Sequence, residues 1–128
     1  MKLGKKQQEW VNQLKKYPER QYSSKLGHKD ANDKIRACCL GQALICMKGR
    51  WAFDEDGEIY DGSSDYPKNS FEDIGLITYT GEFKDGKYHQ IGDCYQKSLA
   101  DANDDGATWL EIAEFIENNP EVVFNKSV

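Results

Sequence analysis

Long apolar runs are missing from this chain. No stretch approaches the roughly 18 consecutive apolar residues of a membrane-spanning helix, so neither a span nor a membrane partner is expected. The opening MKLGKKQQEW has lysines with no apolar segment behind them, and no signal peptide is expected. Cysteines number four, and no Cys-x-x-Cys occurs. A disulfide framework or a structural zinc site would show paired, spaced cysteines. The expectation is a reducing, cytoplasmic setting with no cofactor. Histidine is scarce: His28 and His89 are the two available imidazoles, which limits general-base chemistry. Arginine does not occur after Arg50.

Charge of each sign is present, but unevenly placed. Residues 1–50 hold 12 Lys and Arg against 4 Asp and Glu, a net +8, and residues 51–128 hold 5 Lys against 18 Asp and Glu, a net −13. The two halves can face each other as they fold. The uneven distribution also predicts a basic surface for an anionic partner, with acidic surface elsewhere. With 128 residues, 38% apolar and 12% aromatic, the chain is one domain, 1–128, large enough to bury a core without disulfides or metals.

Leu3, Trp10, Leu14 and Tyr17 recur at helical spacing and predict a first helix from Leu3 to Tyr17, stopped by Pro18. The polar stretch PERQYSSKLGHKDAND reads as a connection ending in a cap at Asn32 or Asp33. A second helix is predicted from Ile35 to about Lys48, with Gly49 past its end. WAFDEDGEIYDG and LITYTGEFKDGKYHQI read as two hairpins around Glu-Asp-Gly and Asp-Gly turns. GSSDYPKNS between them is a loop, and FEDIGL suits one helical turn. A third helix fits Asp93–Asn103, with Asp93 as cap and Tyr95, Leu99 and Ala102 on one face. Thr108 and Glu111 form a capping box for a last helix, whose Trp109, Ile112, Ala113 and Ile116 fill one face. Asn118, Asn119 and Pro120 end it, and Val122–Phe124 reads as a short strand or tail. Asp-Ala-Asn-Asp occurs at 30–33 and again at 101–104, which reads as shared helix-start chemistry rather than a repeat.

The second helix carries the cysteines. Ile35, Cys38, Cys39, Ala43, Leu44, Ile45, Cys46 and Met47 leave it little polar face, which is the signature of a buried helix. Free cysteine behaves as a small, deeply buried hydrophobe. Neighbouring helical positions diverge by about 100°, which suits packing on two sides and not joint chelation. Gly41 costs about 1 kcal/mol inside a helix, and a neighbour packed against the backbone there would explain it. A catalytic thiol would need a depressed pKa and a base, His28 or His89. With the cap at Asp33, Cys38 would lie in the second turn, beyond the strongest part of the helix dipole. Zinc would have to join Cys38, Cys39 or Cys46 to Cys94 and His89.

The stretch from Asp101 to Ile112 approaches a calcium loop. Asp101, Asn103, Asp105 and Gly106 fall at positions 1, 3, 5 and 6. Position 12, which should be a bidentate Glu, is Ile112, and Glu111 is one residue early. The plainer reading is a tight link in which Gly106 supplies a left-handed turn and Asn103 and Asp104 bond the local backbone.

Trp10 with Leu14, Cys38-Cys39-Leu40-Gly41, and Asn103-Asp104 followed by Gly106, Thr108, Trp109, Ile112 and Ala113 together resemble a family of small proteins of unassigned activity from bacteriophage and bacterial genomes. The resemblance covers both ends of the chain and leaves residues 51–92 unmatched. It implies a phage or prophage accessory protein, gives no catalytic residues, and suggests that the Cys-Cys-Leu-Gly helix and the Asn-Asp-Gly turn are in contact.

Together these features predict an α+β domain: about four helices around a buried Cys-rich helix, with a small antiparallel sheet of hairpins. The expected function is non-enzymatic binding, as a modulator or inhibitor of a host protein or nucleotide signal. The alternatives are a small Cys/His thiol enzyme and a protein that sequesters a small anionic ligand. Nucleic acid is not the expected partner. The candidate binding residues are Lys25, His28, Lys29, Arg36, Arg50 and Trp51.

Overall fold

Helix α1, Lys5–Lys16, forms where the spacing predicts it, one or two residues shorter at each end. In the computed structural model, which describes residues 1–23, 26–46, 52–53, 55–60, 74–76, 81–84, 87–90 and 95–128, its Trp10, Val11 and Leu14 are buried to 1% exposure or less. Each such side chain contributes about 1.5–3 kcal/mol by leaving water. Gln7 shares that face and is buried too. Its amide donates to the Ile74 carbonyl (2.8 Å) and the Lys126 carbonyl (2.7 Å), and its oxygen accepts from the Gly4 N–H (2.9 Å). Gly4 offers no side-chain cap, so the carbonyl of Val128 accepts the first helical N–H groups, from Lys6 (3.0 Å) and Gln7 (3.3 Å). Ser127 Oγ also donates to the Lys2 carbonyl. The last residues are thereby bound to the start of the first helix.

The connection after α1 is more ordered than its polarity predicts. Pro18–Arg20 forms a single 3₁₀ turn. Strands β1, Gly27–Lys29, and β2, Ile35–Ala37, then pair antiparallel, with Gly27 opposite Ala37, His28 opposite Arg36 and Lys29 opposite Ile35. The expected helix from Ile35 and its cap at Asn32 or Asp33 are therefore corrected. The Asp30 carboxylate accepts the N–H groups of Asn32 (2.8 Å) and Lys34 (3.0 Å), and Asp33 turns left-handed at φ 61°. This is a three-residue hairpin loop, a turn closed by a residue of positive φ. The residues that cap helices also make such loops, and β-branched Ile35 suits a strand.

Helix α2, Cys39–Cys46, is the buried Cys-rich helix, four residues shorter at its start than expected. Its predicted end beyond Cys46 lies outside the described residues. A Cβ on Gly41 would overlap the Leu26 carbonyl oxygen, so the glycine is where the backbone of the hairpin meets the helix. Both predicted hairpins form: β3, Ala52–Phe53, pairs with β4, Ile59–Tyr60, and β5, Gly81–Lys84, pairs with β6, Lys87–Gln90, each antiparallel. Glu58 bridges to His28, and the Lys29 N–H donates to the Gly57 carbonyl (2.6 Å), which sets the β3–β4 hairpin beside β1. The expected helical turn at FEDIGL is, at Ile74 and Gly75, a turn with Gly75 at φ 75° leading to a bridge between Leu76 and Phe124. Its first three residues and the GSSDYPKNS loop fall outside the description.

Helix α3 covers Tyr95–Asp104 and lies against β5. Leu99 and Ala102 are buried as predicted, while the proposed cap Asp93 is outside the description. Helix α4, Trp109–Asn118, packs against α1. Trp109, Ile112, Ala113 and Ile116 are all fully buried. Val122 and Val123 belong to a four-residue helix α5, Pro120–Val123, rather than to a strand, because Pro120 is preorganised for a first helical position. Phe124 then meets Trp10 edge to face, ring centres 6.2 Å apart. The architecture is a small α+β domain of helices and antiparallel hairpins; no helix of the described residues is long and apolar enough to cross a membrane.

The capping box of α4 is complete: Thr108 Oγ1 accepts from the Glu111 N–H (3.1 Å), and the Glu111 carboxylate accepts from the Thr108 N–H (3.1 Å). Thr108→Ala is expected to cost about 1 kcal/mol, a fall of a few degrees in Tm by thermal circular dichroism. An unchanged Tm would mean that the helix does not depend on this cap.

Candidate functional site

Asn103 is the polar centre of the interior, 1% exposed. Its Oδ1 accepts from the Cys39 N–H (3.2 Å), the Trp109 indole N–H (3.1 Å) and the Gln21 amide (3.1 Å), and its Nδ2 donates to the Tyr22 carbonyl (2.7 Å). Gln21 also donates to the Ala107 carbonyl (2.6 Å) and accepts from the Trp109 N–H (3.1 Å). The local link expected of Asn103 is present only through its backbone, whose carbonyl accepts the Gly106 N–H (3.4 Å) as Gly106 turns at φ 105°. The side chain points inward, and Ile112, the twelfth position of the calcium-like pattern, is in the core. The stretch therefore departs from the calcium-loop pattern at two ligand positions, the third spent inside and the twelfth a buried aliphatic. Asn103 also puts the Asn-Asp-Gly turn in direct contact with the Cys-Cys-Leu-Gly helix.

The cysteines are core. Cys38 is 4% exposed and Cys39 0%. Cys39 Sγ donates to the Leu99 carbonyl (3.5 Å), and Cys38 Sγ accepts from the Gly41 N–H (3.3 Å). Because α2 starts at Cys39, Cys38 stands at the N-cap and not in the second turn. A helix start ordinarily favours a thiolate. Burial opposes it: desolvation is the largest influence on both thiols and raises both, Cys39 well above the ordinary value, over the opposing backbone N–H bonds to each. Cys46 is half-buried, and burial pushes its thiol up to about 11. Cys94 and His89 are cysteine and histidine whose side chains lie outside the description. Among the described residues no cluster of three His, Cys, Asp or Glu could hold a metal.

The basic side gathers at the β1–β2 hairpin. His28 and Arg36 face each other across the strands, with their side chains on one face. The His28 ring stacks on Tyr22 at 6.0 Å, and its Nδ1 is buried with no hydrogen-bond partner among the described residues. Lys29 is next along β1, opposite Ile35, on the other face. Lys25, Arg50 and Trp51 lie outside the described residues. Beside β2 runs an open groove of about 600 Å³, lined by Glu19, Arg20, Asp33, Lys34, Ile35 and Arg36. The Arg20 guanidinium sits over the Tyr17 ring at 3.9 Å, a cation–π contact that orders it. Backbone bonds from Lys34 and Asn32 hold the nearby Asp30 carboxyl below its usual range, with Arg36 and Lys34 adding to the effect. Arg20 and Lys34 are absent from the residues singled out in the sequence; only the fold, by making 30–34 a hairpin loop, brings them beside Arg36. No family model, curated protein or solved structure matches this chain.

Asn103→Ala strips a buried acceptor from three donors, and each orphaned buried group costs about 1–3 kcal/mol. The variant is expected to lose more than about 2 kcal/mol, measured by urea unfolding. A loss below about 0.5 kcal/mol would show that water replaces the carboxamide. Cys38 and Cys39 should react slowly with DTNB in native protein at neutral pH, since the thiolate is the reactive form and burial disfavours it. Their raised folded-state pKa values make their contribution to stability constant below about pH 8.5, where unfolded thiols are protonated, and declining above it as those thiols ionise. Fast labelling at neutral pH would reopen the thiol-enzyme reading.

Proposed function

We propose that this protein is a non-enzymatic binding protein that takes an acidic partner protein in the groove between the Pro18–Arg20 turn and the β1–β2 hairpin. The observation that carries this is the set of exposed cations on that groove: Arg20, Lys34 and Arg36, against Glu19 and Asp33. Interspersed acids in the wall disfavour a dense run of phosphates, so an acidic polypeptide fits better than nucleic acid or a nucleotide. Buried, protonated thiols argue against a Cys38 or Cys39 nucleophile. A role as a phage-encoded modulator or inhibitor of a host protein is supported by the sequence resemblance alone.

Poly-L-glutamate is a suitable probe. Binding to it, followed by isothermal titration calorimetry, should weaken as salt rises, because exposed charges are screened within about 8 Å at physiological ionic strength. Replacing Arg20, Lys34 and Arg36 together by Gln should cut affinity at least tenfold. Stability should change little, since exposed charges contribute little to folding. Affinity indifferent to both salt and the triple substitution would remove the groove from consideration.

A further inference from the structure

The groove has a property that charge alone does not describe: one of its walls is the outer edge of β2, which among the described residues is paired at Ala37 and not at Ile35. In the β1–β2 pair the Asp30 N–H donates to the Lys34 carbonyl (3.0 Å) and the Cys38 N–H donates to the Leu26 carbonyl (3.1 Å). With His28 opposite Arg36, the alternation of an antiparallel ladder turns the backbone of Lys34, Arg36 and Cys38 toward β1, and that of Ile35 and Ala37 away from it. Ala37 is already used there: its carbonyl accepts the Tyr22 N–H (2.8 Å), and Gln21 bridges to it in parallel. Ile35 is half-buried, lines the groove, and among the described residues no backbone group bonds its N–H or its carbonyl. The line of chain that covers Ala37 turns away at the Pro18–Arg20 turn, and the groove begins where that cover stops.

We infer that the groove takes an extended acidic segment of a partner protein as an added strand along β2, paired to Ile35 and read by Lys34 and Arg36. This rests on the proposed acidic partner and specifies how it is held. Strand addition supplies main-chain hydrogen bonds for affinity and side-chain pairing for specificity. Lys34 and Arg36 are two residues apart, so their side chains project from one face about 7 Å apart. An added strand with carboxylates at every second residue presents them on one face at the same interval. Arg20, ordered over Tyr17, stands on the opposite wall. Short gaps in a sheet edge are ordinarily guarded by charge; here the guards are the cations Lys34 and Arg36, which repel a basic edge and attract an acidic one.

The probe is a fluorescein-labelled, N-acetylated octapeptide of alternating Glu and Val, followed by anisotropy. Binding should weaken with salt and fall at least tenfold for Ile35→Pro, which removes the outward N–H without removing any bond the fold uses, as proline is tolerated on edge strands. A peptide of the same composition with its four Glu in one block should bind at least tenfold more weakly. Two N-methylated versions, one at odd and one at even positions, should differ at least tenfold from each other, because a strand docks by one edge only. They test wild-type protein and decide the matter even if Ile35→Pro unfolds. Equal binding of both N-methylated peptides overturns strand addition, and so does failure of the octapeptide to bind at all. If poly-L-glutamate binding still depends on Arg20, Lys34 and Arg36 in that case, the acidic-partner reading stands and only the strand is lost. Self-association removed by Ile35→Pro in sedimentation would put a second copy in the groove and overturn the assignment to a foreign partner.

Discussion

One carboxamide holds three parts of the chain in register. Asn103 is reached by the amide of Gln21 from the segment after the first helix, the N–H of Cys39 at the start of α2 and the indole of Trp109 at the start of α4, and it reaches the Tyr22 carbonyl itself. Two of these partners are orphan or tryptophan N–H groups that burial would otherwise leave unsatisfied. The alternative to the full set is a buried polar cluster with loose ends, which costs more than an apolar core. The start of α2, the end of α3 and the start of α4 must therefore be placed together. The hairpin groove inherits its position from the same constraint, because Gln21 and Tyr22 connect the 3₁₀ turn on one wall to Ala37 beneath the other.

Much of the helical frame was legible because its signals are local. Trp10 and Leu14 carry a 3.6-residue period, and Thr108 with Glu111 is a capping box read within four residues. What failed was local chemistry with two uses. Asp-Ala-Asn-Asp reads in both places as helix-start chemistry, and starts a helix in neither. At 30–33 it closes a hairpin, where the Asp30 carboxylate collects two backbone N–H groups and Asp33 turns left-handed. At 101–104 it is the last turn of α3. The same side chains that cap a helix also cap a turn, and the pairing of Ile35–Ala37 with Gly27–Lys29, not the tetrapeptide, decides between them. Asn103 was missed as a hub for a related reason: its partners lie 6, 64, 81 and 82 residues away, a distance at which spacing carries no signal. Lys34 and Arg20 were missed as groove residues because they meet only once the hairpin exists.

Cys38 shows how a right outcome can come from a wrong position. The sequence places it in a second turn, away from the helix dipole. The structure places it at the N-cap, where its sulfur takes the Gly41 N–H as a serine oxygen would. Position alone would make it an acidic thiol. Solvent exclusion prevails because the backbone N–H dipoles there cannot replace the hydration of a full anionic charge. The cysteine is a small apolar cap, a role in which sulfur fills space that a hydroxyl would leave polar.

The bonds between Gln7 and the chain's last segment impose an order on synthesis. The Gln7 amide and the Lys126 carbonyl are 119 residues apart. At about 5–20 residues per second on a ribosome, the first helix waits on the order of ten seconds for the groups that cap its start and cover Trp10. Through that interval its apolar stripe lacks cover and the Gln7 amide is bonded to water in place of the Ile74 and Lys126 carbonyls. The cap on the start of the first helix and the cover over Trp10 are therefore late contacts, made only once Phe124, Lys126 and Val128 have been added.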